Sequence, residues 1–87
     1  MWVQPKEYKI VGAALAAARE RAGLTQTQLA RLIHKPQSFV SNYERGQRRI
    51  DVLELLRIVE ALQCDARAVF ADIVERQRGR TPRKRSR

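Results

Sequence analysis

The sequence predicts an all-α fold of five short helices, and three observations support this class. The 87 residues include only four glycines and three prolines, and 44% of them are hydrophobic, which is enough for one small core. Apolar residues recur at intervals of three and four along most of the chain. Capping sequences stand where these periodic segments begin, whereas strand-like alternation and internal repeats are absent from the sequence.

The first two helices have clear boundaries in the sequence. The first is predicted over residues 9–22, is rich in alanine, and stops before Gly23, a residue type favoured just after a helix. The second begins after Thr25, a good N-cap, and Gln28 three residues later completes a capping box. This second helix is expected to end near His34.

The third and fourth helices follow after short connections. Pro36 suits the first position of a third helix over residues 36–45, and Gly46 closes it. Asp51 and Glu54 form a second capping box. They start a fourth helix whose apolar residues fall at helical spacing: Val52, Leu55, Leu56, Val59 and Leu62.

The fifth helix and the tail complete the chain. Asp65 caps this helix, whose apolar face comprises Ala66, Val69, Phe70, Ile73 and Val74. Residues 76–87 hold seven basic residues and no acidic or apolar one, which is typical of a disordered arm. We therefore divide the chain into an N-terminal arm (1–8), a folded domain (9–75) and an Arg-rich tail (76–87). The positive charge of the tail is compatible with two roles. The tail either contacts phosphates or serves solubility alone.

The overall charge of the chain favours some classes of binding partner over others. With 18 Lys plus Arg against 9 Asp plus Glu, the formal net charge is +9, which favours a polyanion such as nucleic acid or an anionic membrane surface. A membrane span needs an apolar run of about 18 residues, and none is present in the sequence, nor is a signal peptide. The single cysteine, Cys64, cannot form an internal disulfide. We expect a cytoplasmic protein that does not enter the membrane.

Catalytic constellations are absent from the sequence as well. It has one histidine, one cysteine, no metal-ligand spacing and no glycine-rich phosphate loop. We interpret His34 as a turn residue rather than a metal ligand, and Cys64 as a buried inert thiol rather than a redox sensor. The chain is therefore not expected to be an enzyme, or to need a metal or another cofactor.

The second and third helices fit a helix-turn-helix. The two helices must cross steeply, which requires a small residue at the crossing, and Ala30 is small. Their inner sides need apolar anchors, which Leu29, Val40 and Tyr43 supply. At about 100° per residue, the opposite side of the third helix is polar and carries Gln37, Ser38, Ser41, Asn42 and Arg45.

Residues 24–50, LTQTQLARLIHKPQSFVSNYERGQRRI, resemble the Cro/repressor-like (XRE-type) helix-turn-helix DNA-binding family of bacteria and phages. The family pattern is roughly L-T-Q-x-x-L-A, a turn, S-x-[IV]-S-x-x-E-x-G and a basic segment. The resemblance covers residues 9–75 and implies a lambda-repressor-like bundle. The turn departs from the pattern, since His34 stands where glycine is frequent, and Lys35 and Pro36 stand where small hydroxyl residues are common.

The resemblance also implies roles for individual residues. Four match positions that contact base edges in the major groove: Gln37, Ser38, Ser41 and Asn42. Four match positions that meet the DNA backbone: Gln26, Arg45, Arg48 and Arg49. Gln26 matches a residue that also braces a recognition side chain. Glu44 matches a carboxylate that pairs with a basic residue of the first helix, here Arg19, as a structural pair. Phe39, beside the base-contacting side, is interpreted as a packing residue.

Three functions from different classes remain open at this point. The leading hypothesis is a stand-alone regulator, a repressor, that binds double-stranded DNA sequence-specifically with residues 36–45 and associates with the bacterial nucleoid when bound. The alternative is an antitoxin-like or co-regulator protein whose main role is to bind a protein partner. A third is a non-specific binder of DNA or RNA that depends on the tail.

A DNA-binding regulator of this size is expected to act as a homodimer, because one helix-turn-helix contacts few base pairs. The apolar face of the fifth helix is one candidate interface, although all of it is equally compatible with the interior of the monomer. The N-terminal arm with Trp2 is a rival interface. Trp2 and Tyr8 are expected to pack on the bundle by default.

Overall fold

The computed structural model describes residues 2–80 of the 87-residue chain. This part contains five α-helices and one 3₁₀ turn, Pro5–Glu7, and no strand, which confirms the predicted fold class. The helices are α1 (Tyr8–Arg21), α2 (Gln26–Leu32), α3 (Gln37–Glu44), α4 (Val52–Leu62) and α5 (Ala66–Arg80). No helix of the described part is long and apolar enough to cross a membrane.

Both predicted capping boxes form. Before α2, Gln28 N donates to Thr25 Oγ1 at 3.1 Å, and Thr25 N donates to Gln28 Oε1 at 2.9 Å. Before α4, Glu54 N donates to Asp51 Oδ1 at 2.8 Å, and Asp51 N donates to Glu54 Oε1 at 3.0 Å. Each box satisfies backbone amides that the first turn leaves without helical partners, and so fixes where the helix starts.

The connections adopt the left-handed backbone that their residues favour. Gly23 and Gly46 follow α1 and α3 with φ of 78° and 80°. His34, in the turn between α2 and α3, has φ of 59°, a conformation in which a non-glycine residue is uncommon. Pro36 is the extended N-cap of α3 and not its first residue, so α3 begins one residue later than predicted.

The core lies where α1, α2 and α3 meet the inner sides of α4 and α5. Its best-buried side chains come from all five helices and include Leu15, Leu29, Val40, Tyr43, Ile58 and Val69. Gly12 lets α1 lie directly against α3, because a Cβ atom there would overlap the carbonyl oxygen of Tyr43. This close approach fixes the direction of α3 against the body of the domain.

The last helix continues beyond the predicted end of the folded domain at residue 75. Residues 76–80, assigned to the tail from the sequence, are the last turn of α5. Arg76 Nε donates to Asp72 Oδ1 at 3.0 Å, and Arg78 Nη1 lies 3.4 Å from Glu75 Oε2. Such pairs, one helical turn apart, favour continuation of a helix that has already formed. The rest of the predicted tail, residues 81–87, lies outside the described residues.

Several apolar side chains remain on the surface. Trp2 is 84% exposed, so the expectation that it packs on the bundle is wrong, whereas Tyr8 is half-buried as the first residue of α1. On α5, Val69 is buried and Phe70 is 59% exposed, so the predicted apolar face is divided between core and surface. On α4, Val52, Leu53 and Leu56 are exposed, although helical spacing places two of them with the core residues.

Candidate nucleic-acid interface

The α2–α3 pair has the geometry of a helix-turn-helix. Ala30 is buried where the two helices meet, as the requirement for a small residue predicts. Lys35 N donates to the carbonyl oxygen of Ala30 at 2.9 Å, which closes the turn after the left-handed His34. The departures of this turn from the family pattern therefore do not prevent it from forming.

One side of α3 is buried and the other is open to solvent. Val40 and Tyr43 face the core, and together they anchor the helix. The four predicted base-contacting residues all lie on the accessible side: Gln37 and Ser38 are exposed, and Ser41 and Asn42 are half-exposed. The described structure therefore presents a continuous polar face of amides and hydroxyls along α3, groups that can donate to and accept from base edges.

A chain of hydrogen bonds joins this face to α1. Arg19 Nε donates to Glu44 Oε2 at 2.8 Å, and Arg19 Nη2 donates to Glu44 Oε1 at 3.1 Å. Gln26 Nε2 donates to the same Oε1 at 2.8 Å, and Gln37 Nε2 donates to Gln26 Oε1 at 2.6 Å. The side chain of Gln37 is thus held through Gln26 by a bidentate ion pair.

The ion pair at the base of this chain is almost enclosed. The side chains of Arg19 and Glu44 are 11% and 6% exposed. Arg19 Nη1 also donates to the carbonyl oxygen of Leu24 at 2.7 Å, so the guanidinium has partners on both sides. The hydrogen bond to Glu44 raises the pKa of Arg19, although burial acts in the opposite direction. The pair fixes α1, α3 and the loop before α2 relative to one another.

The predicted phosphate-contacting arginines have different surroundings. Arg45 donates through Nη2 to Asn42 Oδ1 at 3.1 Å and to Gln47 Oε1 at 3.3 Å, both neutral groups. The guanidinium of Arg49 lies 5.4 Å from the ring centroid of Tyr8. Both arginines are exposed, and neither has an ion pair among the described residues.

Arg48 belongs to a different group, which we call the Phe39 cluster: Lys35, Phe39, Arg48 and Glu54. Arg48 binds Glu54 with both terminal nitrogens, at 3.1 and 2.9 Å. Its guanidinium carbon lies 4.6 Å from the Phe39 centroid, and Lys35 Nζ lies 5.4 Å from the same ring. Phe39 also packs edge-on against Tyr43, which agrees with its predicted packing role. The arrangement of this cluster has no signal in the sequence, because the loop between α3 and α4 sets it.

Hydrogen bonding and burial also shift the pKa values of Glu54 and Tyr43. The hydrogen bonds from Arg48 and from the Asp51 backbone lower the pKa of Glu54, so this carboxylate stays ionised. Burial raises the pKa of Tyr43, whose hydroxyl has no hydrogen-bond partner within the described residues. Tyr43 therefore acts as an uncharged core residue.

The burial of the single cysteine differs from the prediction. Cys64 is exposed in the connection between α4 and α5, so the prediction of a buried thiol is wrong. The left-handed Gln63 ends α4 just before it, so Cys64 falls outside the apolar face of the helix. Residues 2–80 contain no cluster of His, Cys, Asp and Glu that could hold a metal ion.

Comparison with known families decides the classification. A helix-turn-helix family model matches residues 15–69, which include α2, α3 and α4. The chain belongs to this helix-turn-helix family. The match lies within the range predicted from the sequence and includes the whole interface described above. The family is one of DNA-binding regulators and not of enzymes, so the prediction of a DNA-binding transcriptional regulator is confirmed.

Solved structures similar to this helix-turn-helix protein include three from bacteria. An XRE-family like protein from Pseudomonas syringae pv. tomato is 34% identical, with a TM-score of 0.68, over 87% of this chain and 88% of that one. The restriction-modification controller protein C.AhdI from Aeromonas hydrophila is 32% identical, with a TM-score of 0.69, over 76% and 96%. The clp gene regulator ClgR from Corynebacterium glutamicum is 25% identical, with a TM-score of 0.76, over 83% and 94%. No curated protein sequence matches the chain as a relative.

Proposed function

We propose that this helix-turn-helix protein is a sequence-specific repressor that places α3 in the major groove of double-stranded DNA. The observation that carries this proposal is the hydrogen-bonded chain from the Arg19–Glu44 pair to Gln37. A side chain fixed before binding loses little conformational freedom when it meets a base, which favours selective contact. Binding that depended on the tail alone would not need this arrangement.

The proposed contacts divide into two sets. The amide and hydroxyl groups of α3 contact base edges: Gln37, Ser38, Ser41 and Asn42. Side chains around α3 contact phosphates and set the position of the protein on the duplex: Gln26, Arg45, Arg48 and Arg49. Gln and Asn suit the N6 and N7 edge of adenine, because an amide can donate to one atom and accept from the other.

Selection of bound duplexes from a random DNA pool tests sequence specificity. We expect one enriched motif, and protection of base edges in the major groove within it. Competition with random duplex should leave binding to the selected duplex intact. Equal affinity for selected and random duplexes would contradict the proposal and favour a non-specific binder. Placement of the selected site across a promoter, in a transcription assay, tests repression.

We further propose that the protein binds as a homodimer. The exposed apolar side chains of α4 and α5 support a contact outside the helix-turn-helix: Val52, Leu53, Leu56 and Phe70. Exposed apolar surface of this kind is typical of interaction sites. A two-fold dimer would place two α3 helices one turn of DNA apart, about 34 Å, on a roughly palindromic site.

Sedimentation at micromolar concentration, with and without the selected duplex, tests the dimer. Leu53→Ser and Phe70→Ser should shift the protein toward the monomer. Leu32→Ser is the matched control, because Leu32 is also exposed but lies on α2. One protomer per duplex at saturation, with protection confined to one half-site, would contradict the proposal. A second protein that co-purifies in equal amount would favour the antitoxin-like alternative.

The basic tail is proposed to contact phosphates near the site. Residues 81–87 carry four of the basic residues of the chain and no acidic one. Removal of these seven residues leaves all of α5 in place. The slope of log K against log salt should then become shallower, while sequence preference and helicity stay the same. An unchanged slope would show that the tail serves solubility alone.

The place of action follows from the proposed ligand. A regulator of bacterial genes acts in the cytoplasm, and it would associate with the nucleoid when bound. The proposed function involves no catalytic step and no cofactor.

A further inference from the structure

Lys9 lies beside the end of α3, although it belongs to α1. Gly46 follows α3 with φ of 80°, and a Cβ atom there would overlap Cγ and the backbone nitrogen of Lys9. The side chain of Lys9 therefore starts directly against the turn that ends α3. A shallow depression between the two helices is lined by Lys9, Ala13, Glu44, Arg45 and Gln47.

This depression adjoins the polar face of α3. Arg45 belongs to that face and donates to Asn42 Oδ1 at 3.1 Å. Glu44, on the floor of the chain of hydrogen bonds described above, accepts from Gln26 Nε2 at 2.8 Å. Arg45 and Gln26 are both proposed to contact phosphates. The depression therefore continues the proposed interface from the helix-turn-helix onto α1.

The charge of the depression is positive. Lys9 and Arg45 are exposed, and neither has an ion pair among the residues that the structure describes. The carboxylate of Glu44 is already held by two hydrogen bonds from Arg19, and its side chain is 6% exposed. Two free cations beside a neutralised carboxylate favour an anion such as a phosphate.

The stability of α1 does not account for a lysine at this position. Lys9 is the second residue of the helix, and the first turn contains no acidic residue. The helix dipole disfavours a cation there. Lys9 also precedes the family match, which begins at residue 15, so the family pattern does not require it.

We propose that the ammonium group of Lys9 contacts a DNA phosphate next to the one that Arg45 contacts. The inference rests on the proposed function, in which α3 lies in the major groove and Arg45 meets the backbone. Lysine binds phosphate as a point charge. A backbone contact sets the position of the protein without distinguishing sequences, so Lys9 strengthens binding to selected and random duplexes alike.

Lys9→Gln tests the proposal, because glutamine keeps the Cγ atom that lies against Gly46 and removes the charge. At about 0.15 M salt, affinity for both the selected and the random duplex should fall about fivefold. The slope of log K against log salt should become shallower by about 0.9, while the ratio of selected to random affinity stays the same. Lys9→Arg keeps the charge and should retain the wild-type slope.

Arg67→Gln is the matched control. Arg67 is also an exposed basic residue at the second position of a helix, α5, and has no ion pair within residues 2–80. It lies outside the depression. Both glutamine variants should raise the melting temperature by about 2 °C, because each removes a cation from a helix N-terminus. The salt slope should change in Lys9→Gln and not in Arg67→Gln. Sedimentation checks that the oligomeric state is the same in all variants.

The outcomes separate this inference from the proposed function. Equal affinity of the wild-type protein for selected and random duplexes would contradict the proposed function, whereas the salt slopes of the variants could still be compared on random duplex. An unchanged slope in Lys9→Gln, or an equal change in Arg67→Gln, would overturn the inference. A fall in the ratio of selected to random affinity would also overturn it, because Lys9 would then act on base contacts. A lower melting temperature with an unchanged slope would show that Lys9 serves packing alone.

Discussion

Two arginine–glutamate ion pairs lie close to α3. Their nitrogen–oxygen distances are almost equal, but their side chains differ in burial. Arg19 and Glu44 meet at 2.8 Å with side chains 11% and 6% exposed. Arg48 and Glu54 meet at 2.9 Å with side chains 41% and 31% exposed. In the buried pair, each charged side chain has lost most of its hydration and depends on the other. In the exposed pair, an external anion can replace Glu54 as the partner of Arg48. Burial therefore separates a structural pair from one that can take part in binding.

The largest expected effect is the loss of the buried pair. Glu44→Gln should lower the free energy of unfolding by about 3 kcal/mol, because it leaves the enclosed Arg19 guanidinium with only the exposed carboxylate of Glu20, 3.9 Å away, as a counter-charge. Urea denaturation measures this directly. Glu54→Gln is the matched variant at the exposed pair. Equal destabilisation by the two substitutions would show that burial does not set the contributions of the two pairs to stability.

Loss of the α3 side chains should have the next largest effect, on binding rather than on folding. Gln37→Ala or Asn42→Ala should each weaken binding to the selected duplex by about 2 kcal/mol and relax preference at one base pair. Random duplex is the control, since these side chains carry no charge. If both variants kept the wild-type ratio of selected to random affinity, α3 would not be the element that contacts bases.

A smaller effect on DNA binding is expected from loss of the Gln26 side chain, which joins the buried pair to Gln37. Gln26→Ala removes the hydrogen bonds to Glu44 and Gln37, and should weaken selected binding by about 1 kcal/mol. A double-mutant cycle with Gln37→Ala measures how much of this loss passes through Gln37. The two losses should be less than additive. Full additivity would mean that Gln26 does not position Gln37.

The smallest expected effect is the change in the free energy of unfolding when the exposed Arg48–Glu54 pair is lost. Glu54→Gln should change the free energy of unfolding by less than about 0.5 kcal/mol, because water and salt screen this pair. Arg48 lowers the pKa of Glu54 in the folded state, so the contribution is present at neutral pH and is lost as the pH falls through that lowered pKa. The difference between wild type and variant, followed by thermal melting, should therefore shrink in acid. A difference that grew in acid would contradict this sign.

Much of the candidate site could be predicted from the sequence, because its signals are either local or carried by the family pattern. The polar side of α3 follows from helical periodicity, and the expected pairing of Arg19 with Glu44 came from the resemblance. The partner of Arg48 and the exposure of Cys64 could not be predicted in the same way. Both depend on the path of a connecting segment, and side chains there have no fixed periodicity.

The sequence by itself determined where α2 and α4 begin and where α1 ends. Thr25 with Gln28, and Asp51 with Glu54, are pairs three residues apart, so each capping box forms from neighbours along the chain. Gly23 ends α1 for a similarly local reason, since glycine enters the left-handed region at little cost.

The tertiary structure decided which side chains act together. Glu44 lies 25 residues from Arg19 and 18 from Gln26 in the chain, and Gly12 favours the contact with Arg19 because it lets α1 approach α3 closely. Long-range contacts of this kind depend on how the helices cross, which residues within one helical turn do not specify. The same crossings bury Val69 and leave Phe70 exposed, so they also decide which apolar surface remains for a partner.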